Sequence, residues 1–594
     1  MARWITLWGK WLLAAVASVL FASAPLTNLH GQEVLRVAPK APASTVPEPG
    51  QDPSGAAPPK EEMPQLTSGE EVPLLEALRG VVLLPSDKNV LVTGLSGVSG
   101  LDVRGVDVPK PDALAERLTN YFGKPFTTVD LQNLTREIVL HYRAEGRPVV
   151  DVVVPAQDIT SGVLQLVIIE GRLGKVSARG NRYFSERSLV SKIRTKPGDL
   201  LRQSPLLQDL DWINQNPFRR VDLVYTPSLD VGKTDLVLET KDRLPLRVFT
   251  GIENTGTKST GEELLLAGFN WGNAFWLDHT FSYQYSTTTD FESLRGHSFV
   301  YDAPLPWRHT LHLLGLYVET AVDDQLEALT LDSGGESMQG SVGYEVPLPR
   351  IGKYKHSATL GFDFKQTNNN LEFGGIRVFD VTTDILQFSL RYSAELRDKY
   401  GTTALTATGV YSPGDLTGNN SDEIFQQARA LSEADYYYGT LKLERLTTLP
   451  WDFSIYTAAR GQLASGNLLA SEQLGLGGYG SVRGYDNFSV RGDEGVVGNV
   501  ELRSPSFPIM GLLNKQIKDR LQLIAFYDYG VVSSKEKLPG EVDSVTLAGI
   551  GAGIRYQIGN NLTARLDYGW RLEDVEFLPD DNDGRLDFSV IASF

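Results

Sequence analysis

The feature that most constrains this chain is a period-two pattern that runs from about Leu246 to the last residue, Phe594. In two representative segments alternate positions are apolar: Ala358, Leu360, Phe362 and Phe364, and then Phe388, Leu390, Tyr392, Ala394 and Leu396. Because successive side chains of a strand point to opposite faces, the other face of each strand is polar. A soluble sandwich also alternates, but its polar face is seldom so charged over many long strands. The pattern therefore predicts a lipid-embedded β-barrel with a polar lumen.

Turn signals indicate the number of strands. Two turn-like runs, Tyr301–Trp307 and Tyr344–Pro349, begin about 43 residues apart, which suits two strands of about ten residues with a tight and a longer connection. At about 22 residues per strand, roughly 350 residues predict about 16 antiparallel strands, an even number as in bacterial outer-membrane barrels. The last segment, Leu586–Phe594, alternates and ends on an aromatic residue. We expect it to close the barrel against the first strand, because lipid does not tolerate an open sheet edge.

Composition agrees with a membrane barrel and argues against other classes. The chain has no internal run of 18 or more apolar residues that would mark a transmembrane helix, while 23 Tyr, 24 Phe and 57 Gly are typical of barrel strands and turns. The net charge of −17 argues against a nucleic-acid partner, since phosphates require concentrated Lys and Arg. The chain has no cysteine, which removes disulfide scaffolds, thiol catalysis and cysteine zinc sites.

The N-terminus predicts export. Residues 1–24 have the layout of a secretory signal peptide, with Arg3 and Lys10 before the apolar run Trp11–Phe21 and small residues after it. Pro25 directly after those residues leaves the cleavage site open. Residues 25–84 are rich in Pro, Ala, Glu and Ser, a composition that cannot bury a core, and are predicted to form a flexible periplasmic leader.

Between the leader and the barrel the pattern changes to that of small α/β domains. Residues 85–173 are predicted to contain, in order, a strand at Asn89–Thr93, helices at Pro111–Thr119 and Thr128–Glu145, and strands at Val149–Pro155 and Val163–Glu170. The second helix is bounded by a capping box from Thr127 to Asp130 and by Gly146.

The same order recurs in residues 174–242. Here we predict a strand at Lys175–Arg179, a helix at Ser185–Ile193, a second helix that opens at Ser204 and Pro205, and strands at Arg219–Thr226 and Thr234–Lys241. Two consecutive units with one plan form an internal repeat. The predicted architecture is thus two β-α-α-β-β domains followed by the barrel, residues 243–594.

Several enzyme-like patterns do not hold up. Gly475, Gly477 and Gly480 match G-x-G-x-x-G, but neither a following helix nor a βαβ unit is predicted around them. Gly251–Ser259 is one residue too long for a phosphate loop, and Asp580–Gly584 lacks the first carboxylate of a calcium loop. The seven histidines are scattered without metal-ligand spacing. We therefore predict no enzyme, no cofactor and no metal site.

Two motifs remain, Val482-Arg-Gly-Tyr485 in a glycine-rich run and Phe526-Tyr-Asp-Tyr-Gly530 in a later strand. With these motifs the chain resembles the two-partner secretion transporters of the ShlB/FhaC/HecB haemolysin secretion/activation type, within the outer-membrane assembly superfamily that includes BamA and TamA. The resemblance covers nearly everything from Asn89 to Phe594. It implies two periplasmic POTRA domains, a 16-stranded barrel and a long sixth extracellular loop with a V-R-G-[FY] tip.

The resemblance also implies a site inside the barrel. Its residues are Val482, Arg483, Gly484 and Tyr485 at the loop tip and Phe526, Asp528 and Gly530 on the barrel wall. In such proteins the arginine pairs with the aspartate in the lumen. A long loop in a lumen loses much conformational entropy, and a charge-assisted bond is directional enough to hold it in place.

The implied function is an outer-membrane pore of a Gram-negative-type bacterium, with its POTRA domains in the periplasm. It would recognise an unfolded exoprotein and pass it to the cell surface without ATP, by two-partner or type V secretion, and its partners would be that client and outer-membrane lipid. An extended client can add to a sheet edge by β-augmentation. The candidate residues are Val149, Val150, Val152 and Val154 in the first domain and Arg219, Val221 and Leu223 in the second, which could equally serve only their own sheets.

Two other functions stay open. An assembly factor of the BamA/TamA kind would insert barrels rather than secrete a client, although such factors usually carry more than two POTRA domains. A porin or adhesin without a client would leave both domains without a purpose. Family members often begin with a helix that plugs the barrel; here the best candidate, Glu70–Arg79, contains Pro73, which argues against a plug.

Overall fold

The structure is a computed structural model that describes residues 71–594 except 231, 259, 327–328, 374–375, 515, 540, 577 and 579–582. The predicted signal peptide, residues 1–24, and the predicted leader up to residue 70 lie outside the described residues. The described chain divides into two compact units, one that ends at Leu244 and one that begins at Pro245. None of the described helices is long and apolar enough to cross a membrane.

The first α/β domain is built on a four-stranded sheet. Its elements are β1 (Pro73–Leu75), β2 (Gly80–Leu84), β3 (Gly100–Val103), α1 (Pro111–Leu118), β4 (Phe126–Thr127), α2 (Thr128–Ala144), β5 (Val150–Val153) and β6 (Val163–Glu170). The sheet order is β3-β2-β6-β5, and β1 pairs with β4. The predicted capping box is present, with the Asp130 N–H donating to Thr127 Oγ1 at 3.3 Å and the Thr127 N–H to the Asp130 carboxylate at 3.0 Å. Residues of both helices pack on the sheet, among them Leu114 and Ile138.

This domain begins earlier than predicted. Gly80–Leu84, assigned to the leader, is the fully buried strand β2, which pairs with both β3 and β6. The predicted strand at Asn89–Thr93 is wrong. There the Leu91 N–H donates to Gln165 Oε1 at 2.9 Å, and Gln165 Nε2 donates to the Leu91 carbonyl at 2.9 Å, so a side chain replaces a strand partner. The described part of the candidate plug helix contains β1 and is not helical.

The second domain confirms the predicted β-α-α-β-β order. Its elements are β7 (Arg172–Arg179), α3 (Glu186–Val190), α4 (Gln203–Ile213), β8 (Arg219–Pro227) and β9 (Lys233–Asp242). They form a three-stranded sheet in the order β7-β9-β8, so β8 lies at an edge. Only Gly171 separates β6 from β7, which moves the predicted domain boundary from residue 173 to this glycine.

The second unit is a closed barrel of sixteen antiparallel strands, which confirms the predicted fold class. The strands are β10 (Leu246–Glu253), β11 (Leu264–Ala274), β12 (His279–Thr288), β13 (Leu294–Pro304), β14 (Thr310–Leu326), β15 (Leu329–Pro347), β16 (Tyr354–Phe373), β17 (Ile376–Arg397), β18 (Gly401–Pro413), β19 (Asp435–Thr448), β20 (Ser454–Ala464), β23 (Glu494–Arg503), β24 (Asp519–Ser533), β25 (Val545–Ile558), β26 (Leu562–Arg571) and β27 (Gly584–Ser593).

The predicted alternation of apolar and polar faces is confirmed. Leu360 and Leu390 are 63% and 60% exposed on the outer surface, whereas Lys365, Gln387 and Arg391 are buried inside. The last strand closes the ring, since β27 pairs with β10 from Phe249–Ser593 to Glu253–Ser589. The outer face therefore suits lipid and the inner face suits water and charge.

Two connections matter for the lumen. Residues 465–493 join β20 to β23 and carry two short strands, β21 (Leu474–Leu476) and β22 (Val490–Gly492); we call this connection the inner loop. Residues 414–434 join β18 to β19 and carry the helix α5 (Asp422–Ala428). A further short helix, α6 (Met510–Leu513), lies between β23 and β24.

Candidate functional site

The inner loop is a hairpin with a glycine-rich tip. Its strands β21 and β22 pair from Leu474–Gly492 to Leu476–Val490. Beyond β21, Gly477, Gly478 and Gly484 have φ of 103°, 82° and 101°, values that glycine adopts without strain. Three glycines of this run thus provide backbone conformations that the turns of the loop tip require.

Arg483 lies at the centre of the site. Its Nε and Nη2 donate to the two carboxylate oxygens of Asp528 at 2.7 and 2.9 Å, and its backbone N–H donates to Oδ2 at 3.1 Å. The side chains of Arg483 and Asp528 are 3% and 0% exposed. Two parallel bonds from one guanidinium fix both the position and the orientation of the loop tip.

Acidic and amide groups that the motifs did not identify complete this network. Arg483 Nη1 donates to Glu501 Oε1 at 2.7 Å. Asn499 Nδ2 donates to Asp528 Oδ1 at 2.8 Å and to the Ser481 carbonyl at 2.6 Å, so it joins the wall to the loop backbone. The alternating pattern indicated only that such residues point inward; the register of β23 against β24 places them beside Arg483.

The other two residues of the wall motif have separate contacts with the loop. The Arg483 guanidinium carbon lies 3.5 Å from the centroid of the Phe526 ring, a cation–π contact. A Cβ at Gly530 would lie 2.8 Å from Leu476 Cδ2 and 3.1 Å from Val482 Cγ2. Because alternate residues of a strand share a face, the F-x-D-x-G spacing places the Phe526 ring, the Asp528 carboxylate and the open space at Gly530 on the lumen-facing side of β24.

The residues after Arg483 pack closely on the next strands. A Cβ at Gly569 of β26 would lie 2.6 Å from the Gly484 nitrogen, and one at Gly549 of β25 would collide with the Arg483 carbonyl. The Tyr485 hydroxyl donates to the Glu573 carbonyl at 2.7 Å and is buried. The tip therefore has contacts with the four neighbouring strands β23 to β26 and with the connection after β26.

The loop also has an apolar core. Its buried members are Leu474, Leu476, Val482, Tyr485 and Val490 from the loop and Val497, Val532 and Leu547 from the wall. Packing of this cluster supports the hairpin independently of its charges.

Both candidate client-binding strands lie at sheet edges, since β5 pairs only with β6 and β8 only with β9. On β5, Val150 is buried and Val152 is half-buried. Val154, just beyond the strand, is exposed, whereas Val149 packs against the apolar cluster of the second domain. The first domain therefore presents a strand edge with apolar side chains beside it.

On β8 the predicted side chains belong to the domain core. Val221 is fully buried, Leu223 packs against the apolar cluster, and Arg219 donates through Nε to the Ile213 carbonyl at 2.9 Å. Burial raises the pKa of Tyr225, on the same strand, to about 12. What β8 leaves free is consequently its backbone edge. Among the described residues no group of three or more His, Asp or Glu side chains could hold a metal ion.

Comparison with known proteins identifies the family. Residues 232–556 match the model of the haemolysin secretion/activation protein ShlB/FhaC/HecB family, and residues 97–171 match the ShlB-type POTRA domain. The chain belongs to the ShlB/FhaC/HecB family. The resemblance inferred from the two short motifs is thereby confirmed over more than half of the sequence.

Curated relatives include the heme/hemopexin transporter protein HuxB of Haemophilus influenzae (strain 86-028NP), 24% identical over 75% of this chain and 78% of HuxB. The outer membrane transporter CdiB of Dickeya dadantii (strain 3937) is 26% identical over 60% of this chain and 63% of CdiB. Among solved structures, CdiB from Escherichia coli superposes with a TM-score of 0.69 at 19% identity, over 92% of this chain and 94% of that one. The likeness to this solved structure is evidence for the fold and not for the function.

As a ShlB/FhaC/HecB family member, the chain is an outer-membrane transporter of the two-partner secretion class, with its POTRA domains on the periplasmic side. Transporters of this class act with a secreted exoprotein. The buried network around Arg483 is therefore a feature of a protein-conducting barrel.

Proposed function

We propose that this transporter binds an unfolded exoprotein in the periplasm through its POTRA domains and passes it through the barrel to the cell surface without ATP. The observation that carries the proposal is the inner loop, which lies in the lumen and is tied to the wall by the buried Arg483–Asp528 pair. A protein-conducting barrel needs a segment inside its lumen that blocks the pore at rest and moves when a client passes. A loop that is held on the wall by non-covalent polar and apolar contacts meets that need.

We assign to Arg483 and Asp528 the role of holding this loop in its transport-competent position. Removing one partner of a buried pair typically costs about 3–5 kcal/mol, and less in a wet lumen, because a charge is left unpaired. The sixteen-stranded ladder holds the barrel closed without them. Loss of the pair should therefore impair transport more than folding.

Secretion by Arg483→Ala and Asp528→Ala variants tests this role. Both should insert at wild-type levels and fail alike, with the client retained in the periplasm. Arg445→Ala is the matched control, since Arg445 Nη2 pairs with Asp398 at 3.0 Å and is not among the contacts of the inner loop. Wild-type secretion by either of the first two variants would contradict the proposal.

Barrel assembly of the BamA/TamA kind is the second candidate, because a closed barrel preceded by POTRA domains also suits that function. Deleting the chain separates the two. Secretion predicts one exoprotein trapped in the periplasm and other outer-membrane barrels at normal levels, whereas assembly predicts a general loss of barrels.

For the chain as a whole we propose a signal peptide at residues 1–24, a leader that ends near residue 70, POTRA domains at 71–171 and 172–244, and a barrel from 245 to 594. Outer-membrane lipid would surround the apolar outer face of the barrel, on which Leu360 and Leu390 are exposed.

A further inference from the structure

A second buried ion pair holds the inner loop far from Arg483. Glu472 lies just before β21, and its carboxylate accepts hydrogen bonds from Lys365 Nζ at 2.7 Å, Gln387 Nε2 at 2.9 Å and the Tyr438 hydroxyl at 2.8 Å. The Ser471 hydroxyl donates a fourth at 2.9 Å. The side chains of Lys365 and Glu472 are 8% and 1% exposed.

These donors come from another part of the wall. Lys365 is on β16, which lies six strands from β24 in the order of the closed ring, and Gln387 and Tyr438 are on β17 and β19. The inner loop is thus attached to two separate parts of the wall. Glu472 binds this part, and the tip from Arg483 to Asn487 binds the other, which extends to Arg585 of β27 and to Asn254 after β10. Neither attachment requires the other, since they share no residue.

The two ends of the inner loop are joined by a different group. The Asp493 carboxylate accepts from the Leu468 N–H at 2.9 Å and from Arg429 Nη2 at 2.9 Å. This contact joins the beginning of the loop to its end and to the residue that follows α5. Between this closure and β21, residues 469–473 contact the wall in three ways. The Glu472 carboxylate binds its donors, the Glu472 carbonyl accepts from Gln462 Nε2 of β20 at 2.9 Å, and Leu469 is buried in an apolar cluster.

A lumen cavity of about 490 Å³ lies beside this segment. Its lining includes Lys365, Gln387, Arg391, Tyr438, Arg460 and Glu472. If Glu472 left Lys365, residues 469–473 would lose their polar attachment to β16, β17 and β19 and could shift toward β20. The cavity would then widen, while the hairpin would stay on β24 through Arg483.

We infer that the Glu472–Lys365 pair is a latch that holds residues 469–473 across the lumen and keeps the resting transporter closed. The inference rests on the proposed transport function for its purpose, since a client would have to release the latch. Closure itself can be measured without a client. A buried carboxylate with four donors gives a closed state that a single substitution should weaken.

The test is the conductance of the purified full-length protein in planar lipid bilayers without client. Glu472→Gln and Lys365→Met should each raise the open fraction roughly tenfold or more, because a buried ion pair is broken. The double variant should open no more than either single one, since both act on one contact. Lys442→Met is the matched control, because Lys442 pairs at 3.1 Å with Glu444 on its own strand. Its open fraction should equal that of the wild type.

Tyr438→Phe provides a variant that leaves no charge unpaired, in case the others do not fold. It removes one donor to Glu472 and should give a smaller rise in the open fraction. The latch is refuted if the folded Glu472→Gln or Tyr438→Phe protein has the same open fraction as the wild type. It is also refuted if the effects of Glu472→Gln and Lys365→Met on the open fraction add. Such a result would leave the transport proposal standing, because secretion is a separate measurement.

Discussion

At the scale of single residues, the space left by glycines on the wall matters as much as the charges in the lumen. The Arg483 guanidinium can reach Asp528 only if the loop backbone approaches the barrel closely. Gly549 and Gly569 permit that approach, because a side chain at either position would overlap the backbone of Arg483 or Gly484. Motif reading singled out the charges and missed these glycines, since strand glycines are common in barrels.

We expect Gly549→Ala to displace the loop tip. The new Cβ would collide with the Arg483 carbonyl, and overpacking of this kind costs roughly 1–3 kcal/mol. Secretion should fall sharply, and the temperature at which the folded barrel loses its compact gel mobility should drop. Gly409→Ala is the control, since a Cβ at Gly409 has nothing within 4 Å. Equal behaviour of the two variants would mean that the close approach is unimportant.

At the scale of elements, the proposed client-binding strand β5 has a backbone donor that its own sheet does not use. The Val152 N–H donates to the carboxylate of the neighbouring Asp151 at 2.9 Å, so it is not part of the ladder with β6. An incoming strand could take the place of that carboxylate. The free edge of β5 therefore has a backbone group already directed away from its own sheet.

Val152→Pro should weaken binding of an unfolded client segment by the full-length protein. Proline removes this N–H without costing a ladder bond, and edge strands tolerate it. The loss of one hydrogen bond corresponds to about 0.5–1.5 kcal/mol, or roughly two- to tenfold in the dissociation constant, measured by fluorescence titration. Asp151→Ala frees the same N–H and should bind at least as well as the wild type. Unchanged binding by Val152→Pro would remove β5 as the client edge.

Elements with their own local signals were predictable from the sequence, and those defined by their neighbours were not. Helix α2 was found because Thr127 and Gly146 mark its ends. Strand β2 was missed because Gly80–Leu84 is buried on both faces, shows no alternation and follows a Pro-rich leader. In the site, Asp528 was found through a motif, whereas Glu472 was not, because an inward carboxylate on a lumen loop reveals its partner only through barrel register.

At the scale of the whole molecule, the seam between the first and last strands decides how the barrel could open. Strand β27 pairs with β10 over five residue pairs, fewer than the eight in the ladder of β10 with β11 and the nine in that of β26 with β27. The seam is thus the shortest ladder of this region. An assembly factor that releases strands laterally into the membrane would need to open this seam, whereas a transporter that conducts its client through the lumen would not.

A covalent bridge across the seam separates these routes. Thr250 and Ala592 are direct partners in the ladder, and the chain has no cysteine of its own, so Thr250→Cys with Ala592→Cys can be joined selectively by a short thiol-reactive linker. We expect the bridged barrel to secrete its client at the rate of the unbridged form, because in the proposed mechanism the client passes through the lumen. Loss of secretion that returns when a cleavable linker is cut would instead show that the seam must open. Each single-cysteine variant, treated in the same way, controls for the modification, and the outcome decides between a lumen and a lateral path for the same fold.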